Sequence, residues 1–534
     1  METLDSLSLF EWGSWQVSQW FKSGLTGKKP EHWKNGMTQT GIVIVGLGAA
    51  GAELLTREAW EWLSGAKEVY LRTCLHPSAV GLPEHLQIHS FDEVYEQHDN
   101  LEEVFAEIVE TILRLGCREE GVTYAVPGSP WVAEETSTQI LSRAREAGIP
   151  VRVIDGLSFV EPVCAALGVD PASQLALVDA MQLASQHVPS FPPSCGVLVS
   201  QIGTRMDATE VKLTLMTNYP DDYPVRLVHA AGTAQQIVED LILHTIDQSP
   251  HLGLLSTLYV PPRERGRSFE DFQEIIACLR APDGCPWDRE QTHLSLRPYL
   301  LQETYEVLET LDREDLLELQ EELGDLLLQI VLHTQIATEE EDFNMTDVIA
   351  GISSKLIRRH PHVFGEVQVN SVDNVLLNWE KIKAREREQN GNGSKNGMLD
   401  GIPLALPALT QADQIQRRAK RVGFDWQEID PVIAKVHEEL GELQAARNQV
   451  ERQSEAGDLL FAAVNLIRWL DIDPETALRE CNLRFRKRFS YIEAAAAREG
   501  KSVEELSFAQ MDALWEQAKD IFAAEDEESK AEEA

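Results

Sequence analysis

The stretch LLQETYEVLE at residues 300–309, followed by EELGDLLLQIVLH at 321–333, decides how the C-terminal half of this chain folds. Leucine, valine and isoleucine recur every three or four residues in both segments, which is the spacing of the buried stripe of an amphipathic helix. Similar segments follow in the same order, VHEELGELQA at 436–445 and SEAGDLLFAAVNL at 454–466. This ordered repetition indicates an internal duplication of an all-α module of about 100 residues.

Each segment of the repeat carries a pair of acids three residues apart. That spacing places both acids on one face of a helix, and the flanking apolar residues put them at the edge of the packed face. Four carboxylates that converge between packed helices repel one another unless cations bind them. Oxygen ligands in that number suit Mg²⁺, which also accepts phosphate oxygens. The predicted metal ligands are Glu303, Glu306, Glu322 and Asp325 in the first module and Glu439, Glu442, Glu455 and Asp458 in the second.

Basic and aromatic residues accompany each set of acids. The basic residues are predicted to contact phosphate oxygens, although cations late in a helix also complement its dipole. The tryptophans that head the two modules, in PWD and FDW, either stack on a nucleobase or lie in the core. The candidates for substrate binding are Trp287, Lys355, Arg358, Arg359, Trp426, Arg484, Lys487 and Arg488.

A different pattern fills the chain before residue 262. Short buried-strand segments, several of them ending in a glycine turn, alternate with helical segments, which predicts an α/β domain with a largely parallel sheet. The strand-like segments are GIVIVGLG (41–48), KEVYLRT (67–73), VTYAVPGSP (122–130) and VRVIDG (151–156), and LEEVFAEIVETILRLG (101–116) is helix-like.

The glycines of GLGAAG at 46–51 match a dinucleotide-binding pattern. The next strand, however, ends in Arg72 and Thr73 and has no acid placed to bind a ribose. A tight turn that requires small residues is therefore favoured over NAD binding.

Composition narrows the classes of partner. The chain has 534 residues and a formal net charge of −41, which disfavours nucleic acid and anionic lipid but permits a polyanion held through metal ions. No apolar run is long enough for a membrane span, and the N-terminus does not resemble a secretion signal. The seven scattered cysteines predict free thiols in a reducing cytoplasm.

Shifts in composition divide the chain into six segments. The tryptophan-rich N-terminal extension is expected to pack on its own protein rather than to bind a partner, and the acidic C-terminal tail is expected to have no fold. The segments are an extension (1–40), the α/β domain (41–262), helical module 1 (263–385), a flexible linker (386–402), helical module 2 (403–522) and the tail (523–534).

The helical modules resemble the MazG family of nucleoside triphosphate pyrophosphohydrolases over about residues 265–520. The motifs that carry the resemblance are CPWDREQTHLSLRPYLLQETYEVLETL, EELGDLLLQIVLHTQ and RRHPHVFG, then RVGFDW, EELGEL and EAGDLLFAAVNL. The resemblance implies Mg²⁺-dependent cleavage of nucleoside triphosphates, including aberrant ones, to monophosphate and pyrophosphate by modules that form a homodimer. The family's metal-ligand pattern falls on the eight acids given above. Glu306 and Glu442 are predicted to accept the proton of the attacking water.

The N-terminal domain resembles the tetrapyrrole (corrin/porphyrin) methylases over about residues 41–262. The motifs are GLGAAGAELLT, RTCLHP, SFDEVY, YAVPGSPWVAE and VIDGLSFVEP. The resemblance implies S-adenosylmethionine (SAM) binding between two α/β lobes, but the proline, a glycine and the aspartate of the usual GxGPGD are replaced here. The implied cofactor-binding residues are Gly46, Gly48, Gly51, Val126, Pro127, Gly128 and Ser129.

The predicted fold class is multidomain, an N-terminal α/β tetrapyrrole-methylase-like domain followed by two all-α MazG-type helical-bundle modules. This order resembles YabN-type fusion proteins. Two alternatives stay open, a SAM-dependent methyltransferase with accessory helical modules and a non-catalytic nucleotide-sensing scaffold. Complete carboxylate sets favour the hydrolase over the scaffold, and the altered glycine motif disfavours the methyltransferase.

Overall fold

The computed structural model describes residues 41–98, 100–369 and 397–532, and also 371, 372, 374, 375, 378, 379, 382, 383 and 386. The predicted extension 1–40 and most of the predicted linker lie outside the described residues. The chain divides into two compact units between Cys285 and Pro286. The helix Phe269–Arg280, which the sequence pattern assigned to module 1, therefore belongs to the first unit.

The first lobe of the first unit is a five-stranded parallel sheet with the strand order β3-β2-β4-β1-β5. The four strands predicted from the sequence are all present in it, and the predicted helix at 101–116 has the expected bounds. The strands are β1 (Ile42–Gly46), β2 (Glu68–Leu71), β3 (Gln87–Ser90), β4 (Val122–Val126) and β5 (Val151–Ile154); the helices are α1 (Arg57–Gly65), α2 (Asp92–Gln97), α3 (Leu101–Gly116) and α4 (Glu135–Glu146), with short 3₁₀ helices at Ala52–Leu54 and Pro77–Gly81.

Both faces of this sheet are covered, as its continuous apolar strands require. Ile108 and Ile112 of α3 pack on one face beside Ile44. Leu63 of α1 packs on the other face beside Val45. All these side chains are fully buried. The sheet is therefore a rigid platform that fixes the loops at the carboxyl ends of its strands.

The second lobe differs from the sequence expectation of one largely parallel sheet. It is a second five-stranded sheet with the order β6-β7-β10-β8-β9, in which only β6 and β7 pair in parallel. Its elements are α5 (Val160–Leu167), β6 (Leu175–Asp179), α6 (Ala180–Ala184), β7 (Gly196–Ser200), α7 (Arg205–Leu215), β8 (Pro224–His229), β9 (Ile237–Ile242), a 3₁₀ helix (Leu243–Gln248) and β10 (Ser256–Val260), followed by α8 (Phe269–Arg280).

The second unit is helical throughout its secondary structure, as predicted. The last helix continues to Glu532, so the expectation that the tail from residue 523 has no fold was wrong as far as Glu532. No helix among the described residues is long and apolar enough to cross a membrane. The helices are α9 (Pro286–Glu290), α10 (His293–Arg313), α11 (Leu316–Glu339), α12 (Met345–Arg359), α13 (Ala408–Lys420), α14 (Ile429–Ala445), α15 (Gln449–Trp469), α16 (Pro474–Arg498), a 3₁₀ helix (Val503–Glu505) and α17 (Phe508–Glu532).

Gly46 ends β1 where the backbones of two neighbouring loops approach closely. A Cβ at Gly46 would lie 2.5 Å from the backbone nitrogen of Gly156 and 2.8 Å from the carbonyl oxygen of Gly128. Backbone atoms cannot move aside as a flexible side chain can, so overpacking here strains both loops. The structure therefore requires glycine at this position irrespective of any ligand.

We expect Gly46→Ala to lower the free energy of unfolding by about 3 kcal/mol, because the added methyl group collides with backbone. Gly253→Ala is the matched control, since no described atom lies within 4 Å of a Cβ at Gly253. That control should change stability by less than about 0.5 kcal/mol. Urea denaturation of the full chain measures both variants, and equal stabilities would contradict the packing argument.

Candidate metal centres

In module 1, the first acid pair lies on α10 and the second on α11. The Thr292 side chain caps the start of α10, and Glu314 ends it in the left-handed conformation at φ 57°. Asp315 then caps α11 by accepting hydrogen bonds from the backbone nitrogens of Leu317 and Glu318, both at 3.1 Å. The chain thus reverses within two residues, and α10 packs against α11. This tight connection brings the two acid pairs together.

Three of the four predicted ligands in module 1 converge. Carboxylate oxygens of Glu303, Glu322 and Asp325 all lie within 4.8 Å of one another. Burial raises the pKa of Glu303 to about 7, assisted by a hydrogen bond with Glu306 and by the nearby negative charges. Burial and nearby negative charges, Glu306 and Asp325 first, also raise the pKa of Glu322. The fold therefore holds like charges together in a place that favours a bound cation.

Module 2 repeats this arrangement on α14 and α15. Oxygens of Glu439, Glu455 and Asp458 lie within 4.8 Å of one another, and Glu439 is only 6% exposed. Burial raises the pKa of Glu455, and the negative charge of Glu442 raises it further. The duplication inferred from the sequence therefore extends to the geometry of the acids.

The two centres differ in one neighbouring side chain. Lys435 lies one helical turn before Glu439, and its Nζ is 2.8 Å from the Glu439 Oε1 atom. Hydrogen bonds to Glu439 and Glu438 raise the pKa of Lys435. The corresponding position in module 1, four residues before Glu303, is Tyr299. Module 2 therefore has a lysine ammonium group beside its acids, whereas module 1 has a neutral tyrosine at the same position.

Comparisons with known proteins place the helical modules in a family. Residues 291–364 match the model of the MazG nucleotide pyrophosphohydrolase domain. The nucleoside triphosphate pyrophosphohydrolase/pyrophosphatase MazG of Thermotoga maritima is 45% identical over 257 residues, which are 48% of this chain and 98% of that protein. The chain belongs to the MazG family. The Escherichia coli K12 nucleoside triphosphate pyrophosphohydrolase is also 45% identical, over 46% of this chain and 94% of that protein.

Two further comparisons cover the N-terminal unit and nearly the whole of this MazG-family chain. Residues 41–246 match the model of the tetrapyrrole (corrin/porphyrin) methylases. The Bacillus subtilis protein YabN is 41% identical over 488 residues, 90% of this chain and 98% of that protein. The predicted order, a methylase-like domain followed by MazG modules, is confirmed.

Glu306 and Glu442, the predicted proton acceptors of the MazG modules, lie beside the three-acid groups rather than in them. Glu306 hydrogen-bonds with Glu303, and its Oε1 accepts a hydrogen bond from Gln302 Nε2 at 3.2 Å. Glu442 hydrogen-bonds with Glu455. Each is thus in direct contact with one predicted metal ligand, so the four-acid set of the sequence prediction divides into three converging acids and one adjacent acid.

In module 1, two predicted phosphate contacts already hold a carboxylate. Arg358 and Arg359, at the end of α12, lie 2.7 Å and 2.6 Å from the Glu386 carboxylate. Hydrogen bonds from Arg359 and Arg358 lower the pKa of Glu386 to about 2. The third predicted residue, Lys355, is half-buried on the same helix. The two arginines therefore lie where they bind an anionic oxygen pair.

In module 2, the predicted phosphate contacts face other side chains. Arg484 lies 3.6 Å from Glu480, one turn earlier on α16. Lys487 Nζ lies 4.2 Å from the ring centre of Phe522, and Arg488 lies over the Trp515 ring at 5.6 Å. Lys487 and Arg488 therefore contact aromatic side chains of α17, which contributes to the packing of that helix.

The two module-heading tryptophans are not core residues. Trp287 is 53% exposed and Trp426 is 41% exposed. The ring of Trp287 meets that of Tyr299 edge to face at 6.1 Å. The core alternative for these residues was therefore wrong, and an exposed aromatic face remains for each.

The structure also shows a polar network that the sequence analysis missed. Arg468, 5% exposed, lies 2.8 Å from Asp425, which also accepts a hydrogen bond from Trp469 Nε1 at 3.1 Å. This network anchors the loop that carries Trp426.

The contact of Lys435 with the acids was also missed, although the sequence indicates it, since a lysine four residues before Glu439 lies on the same helix face.

In the methylase-like domain, the structure brings the predicted cofactor loops together. Leu47 N donates to Val126 O at 2.9 Å, and Gly48 and Gly128 exchange backbone hydrogen bonds at 3.1 and 2.8 Å. The space beside Gly46 is filled by backbone, and the Glu53 carboxylate lies against Gly51. Gly128, at φ +67°, has no described atom within 4 Å of its Cβ position. An approach to the backbone is therefore open at Gly128. Pro127 is half-buried and Ser129 buried beside it.

The raised pKa of Glu303 predicts how stability depends on pH without metal. A carboxyl whose pKa is about 7 in the folded state and about 4.5 when unfolded stabilises the fold below pH 4.5, and this contribution is lost as pH rises through 7. We therefore expect the melting temperature of wild type in chelator to fall from pH 5 to pH 8 relative to Glu303→Gln.

Thermal denaturation of both proteins at several pH values measures this difference. Glu340→Gln, at an exposed position in the same module, is the control and should follow wild type. If the Glu303→Gln profile is parallel to that of wild type, the acids do not repel one another as the geometry indicates.

Proposed function

We propose that this chain hydrolyses nucleoside triphosphates to monophosphate and pyrophosphate in an Mg²⁺-dependent reaction at its carboxylate clusters. The observation that carries the proposal is the convergence, in each module, of three carboxylates within 4.8 Å. Such a group is unfavourable in isolation and becomes favourable when divalent cations bind it. Relatives that the chain matches over almost their whole length are named for this activity.

The donor atoms fit magnesium. Glu303, Glu322 and Asp325 would hold it in module 1, and Glu439, Glu455 and Asp458 in module 2, because all six offer hard oxygen ligands. Bound Mg²⁺ would neutralise the charge of the triphosphate and of departing pyrophosphate. Lys435 adds a positive charge at the module 2 acids.

Glu306 and Glu442 are suited to accept a proton. Each contacts a predicted metal ligand but lies outside the group of three, so a lone pair is available to a nearby water. The water oxygen bonds to the α-phosphorus, and its proton passes to the glutamate. The bond from the α-phosphorus to the bridging oxygen breaks, and pyrophosphate leaves with that electron pair.

Other residues bind the rest of the substrate. Arg358 and Arg359 exchange Glu386 for phosphate oxygens, since a guanidinium binds both kinds of anion in the same geometry. Lys355, Arg484, Lys487 and Arg488 add positive charge, and the exposed rings of Trp287 and Trp426 offer stacking surfaces. Leu316, Leu317 and Leu323 are about half or more exposed along α11, which supports a homodimer through the helical modules. Seven free cysteines favour a reducing cytoplasm.

Asp325→Ala and Asp458→Ala test the assignment, separately and together. Removing one ligand from a three-acid group weakens Mg²⁺ binding, so each single variant should lose the pyrophosphate release of its own module. The double variant should fall at least about 100-fold below wild type. An assay with Mg²⁺ and mixed nucleoside triphosphates, in which pyrophosphate is distinguished from phosphate, gives the readout.

Asp342→Ala removes an exposed acid of module 1 outside the cluster and should keep full activity. Wild-type pyrophosphate release by the double variant would refute the assignment. Tight nucleotide binding without turnover in wild type would instead favour a nucleotide-sensing scaffold.

A second function, SAM binding without methyl transfer, is favoured by the open approach at Gly128. We expect equilibrium dialysis with labelled SAM to detect binding to the full chain. Gly128→Val should abolish it by filling that approach. Gly168→Val is a matched control, because Gly168 has a nearly equal φ of +68° and equally open surroundings but caps α5. Equal SAM binding by the two variants would count against a SAM site at Gly128. Detection of methyl transfer would support the methyltransferase hypothesis instead.

A further inference from the structure

Buried polar atoms continue the acid-bearing face of α11 beyond Asp325. Gln329, four residues after Asp325, is 5% exposed, and its Oε1 has no hydrogen-bond partner among the described residues. The Nε2 atom of His333, four residues further, is also buried without a described partner, while its Nδ1 lies 2.8 Å from His293 Nδ1. Unsatisfied buried polar atoms are rare in folded proteins, so two in succession along one stripe require an explanation.

In module 2, buried polar atoms without a described partner come from a different helix, α13. Asp413 and Gln416 lie three residues apart on one face, and each is only 7% exposed. Gln416 Nε2 donates to the Phe461 carbonyl at 2.8 Å. Because a carbonyl only accepts, the amide nitrogen must face it, and Gln416 Oε1 is left without a described partner. Asp413 Oδ2 accepts from Arg417 at 2.7 Å, and its Oδ1 has no described partner.

Gln329 and Gln416 lie at a similar position along the acid-bearing helices. Phe461 follows Asp458 by three residues, so Gln416 contacts α15 about one turn beyond the last metal ligand. Gln329 lies about 6 Å along α11 from Asp325, at 1.5 Å per residue. In a nucleotide whose phosphates are bound at the acids, the ribose separates the base from the α-phosphate by a length comparable to this rise along the helix. The unpartnered atoms therefore lie at a distance suited to the base.

We infer that these buried atoms bind the hydrogen-bonding edge of the nucleobase, which rests on the proposed hydrolase function. In module 2, Asp413 Oδ1 and Gln416 Oε1 are both acceptors and match two adjacent donors. Guanine presents such a pair in its N1–H and 2-amino group, whereas uracil presents one N–H between two carbonyls. Module 2 therefore selects guanine nucleotides. Gln329 contributes one base acceptor in module 1.

Asp413→Asn is a sharp test of module 2. The Arg417 Nε–H still requires an acceptor, so the new amide turns its oxygen to Arg417 and its NH₂ toward the position of Oδ1. A donor then faces the donors of guanine. In an Asp325→Ala background, kcat/KM for GTP should fall at least about tenfold relative to UTP, mainly through KM. Wild-type module 2 should also prefer GTP to ITP, which lacks the 2-amino group.

Controls separate base recognition from structural damage. Arg417→Met removes the ion pair but keeps the Asp413 carboxylate, so the GTP-to-UTP ratio should be retained. Gln416→Met should lower the GTP-to-UTP ratio of kcat/KM, as Asp413→Asn does. In an Asp458→Ala background, Gln329→Met should change the ratios among nucleotides in module 1. Melting temperatures of all variants identify any loss of fold.

The outcomes distinguish this inference from the function on which it rests. If wild type releases no pyrophosphate from any nucleotide, the proposed function fails. In a second outcome, wild type is active while the substitutions change kcat/KM by the same factor for every nucleotide in each active module. In that case the proposed hydrolase function stands and the inference about base recognition is overturned. The atoms would then bind interior water. A shift of the base ratio in an active module supports the inference.

Discussion

One interaction constrains the helical unit, namely the mutual repulsion of acids that are held together between two packed helices. The apolar stripes of α10 and α11 fix the distance between the helices, and the two-residue reversal at Glu314 and Asp315 fixes their register. With both set, Glu303 cannot withdraw far from Glu322 and Asp325, and its pKa rises to about 7. Packing energy thus maintains an electrostatic arrangement that the acids alone would oppose.

In the N-terminal unit, packing likewise holds crowded groups together, but these groups are backbone atoms rather than charges. Two covered faces hold the parallel strands, and the strand ends then approach so closely that Gly46 has no space for a side chain. In both units the candidate loops or acids are held in place by elements whose own stability comes from apolar burial. The difference is that the acids need a partner of opposite charge, whereas the glycine turn is complete without one.

Much of this architecture could be predicted from the sequence because it is local. Helical periodicity and three-residue acid spacing identify α10 and α11 and the face that carries Glu303 and Glu322. The second sheet could not be predicted, since the antiparallel pairing of β8 with β10 depends on contacts between residues that are distant in the sequence. The helix that continues to Glu532 was missed because its acidic composition is typical of unstructured tails.

The candidate site shows the same limit. The eight acids are visible as a pattern, but the division into three converging acids and one neighbour depends on side-chain direction at each helix crossing. Likewise, no spacing rule indicates that Glu386 binds both Arg358 and Arg359, because 27 or more residues separate them. Burial of Gln329 and Gln416 was equally hidden, since glutamine is mostly an exposed residue.

The lysine beside Glu439 and the tyrosine at the matching position of the first copy make the two acid groups electrostatically unequal. An ammonium group held 2.8 Å from a carboxylate already supplies part of the counter-charge that a divalent ion would bring. The second copy therefore carries less unbalanced negative charge than the first, although the acids converge within the same distance in both.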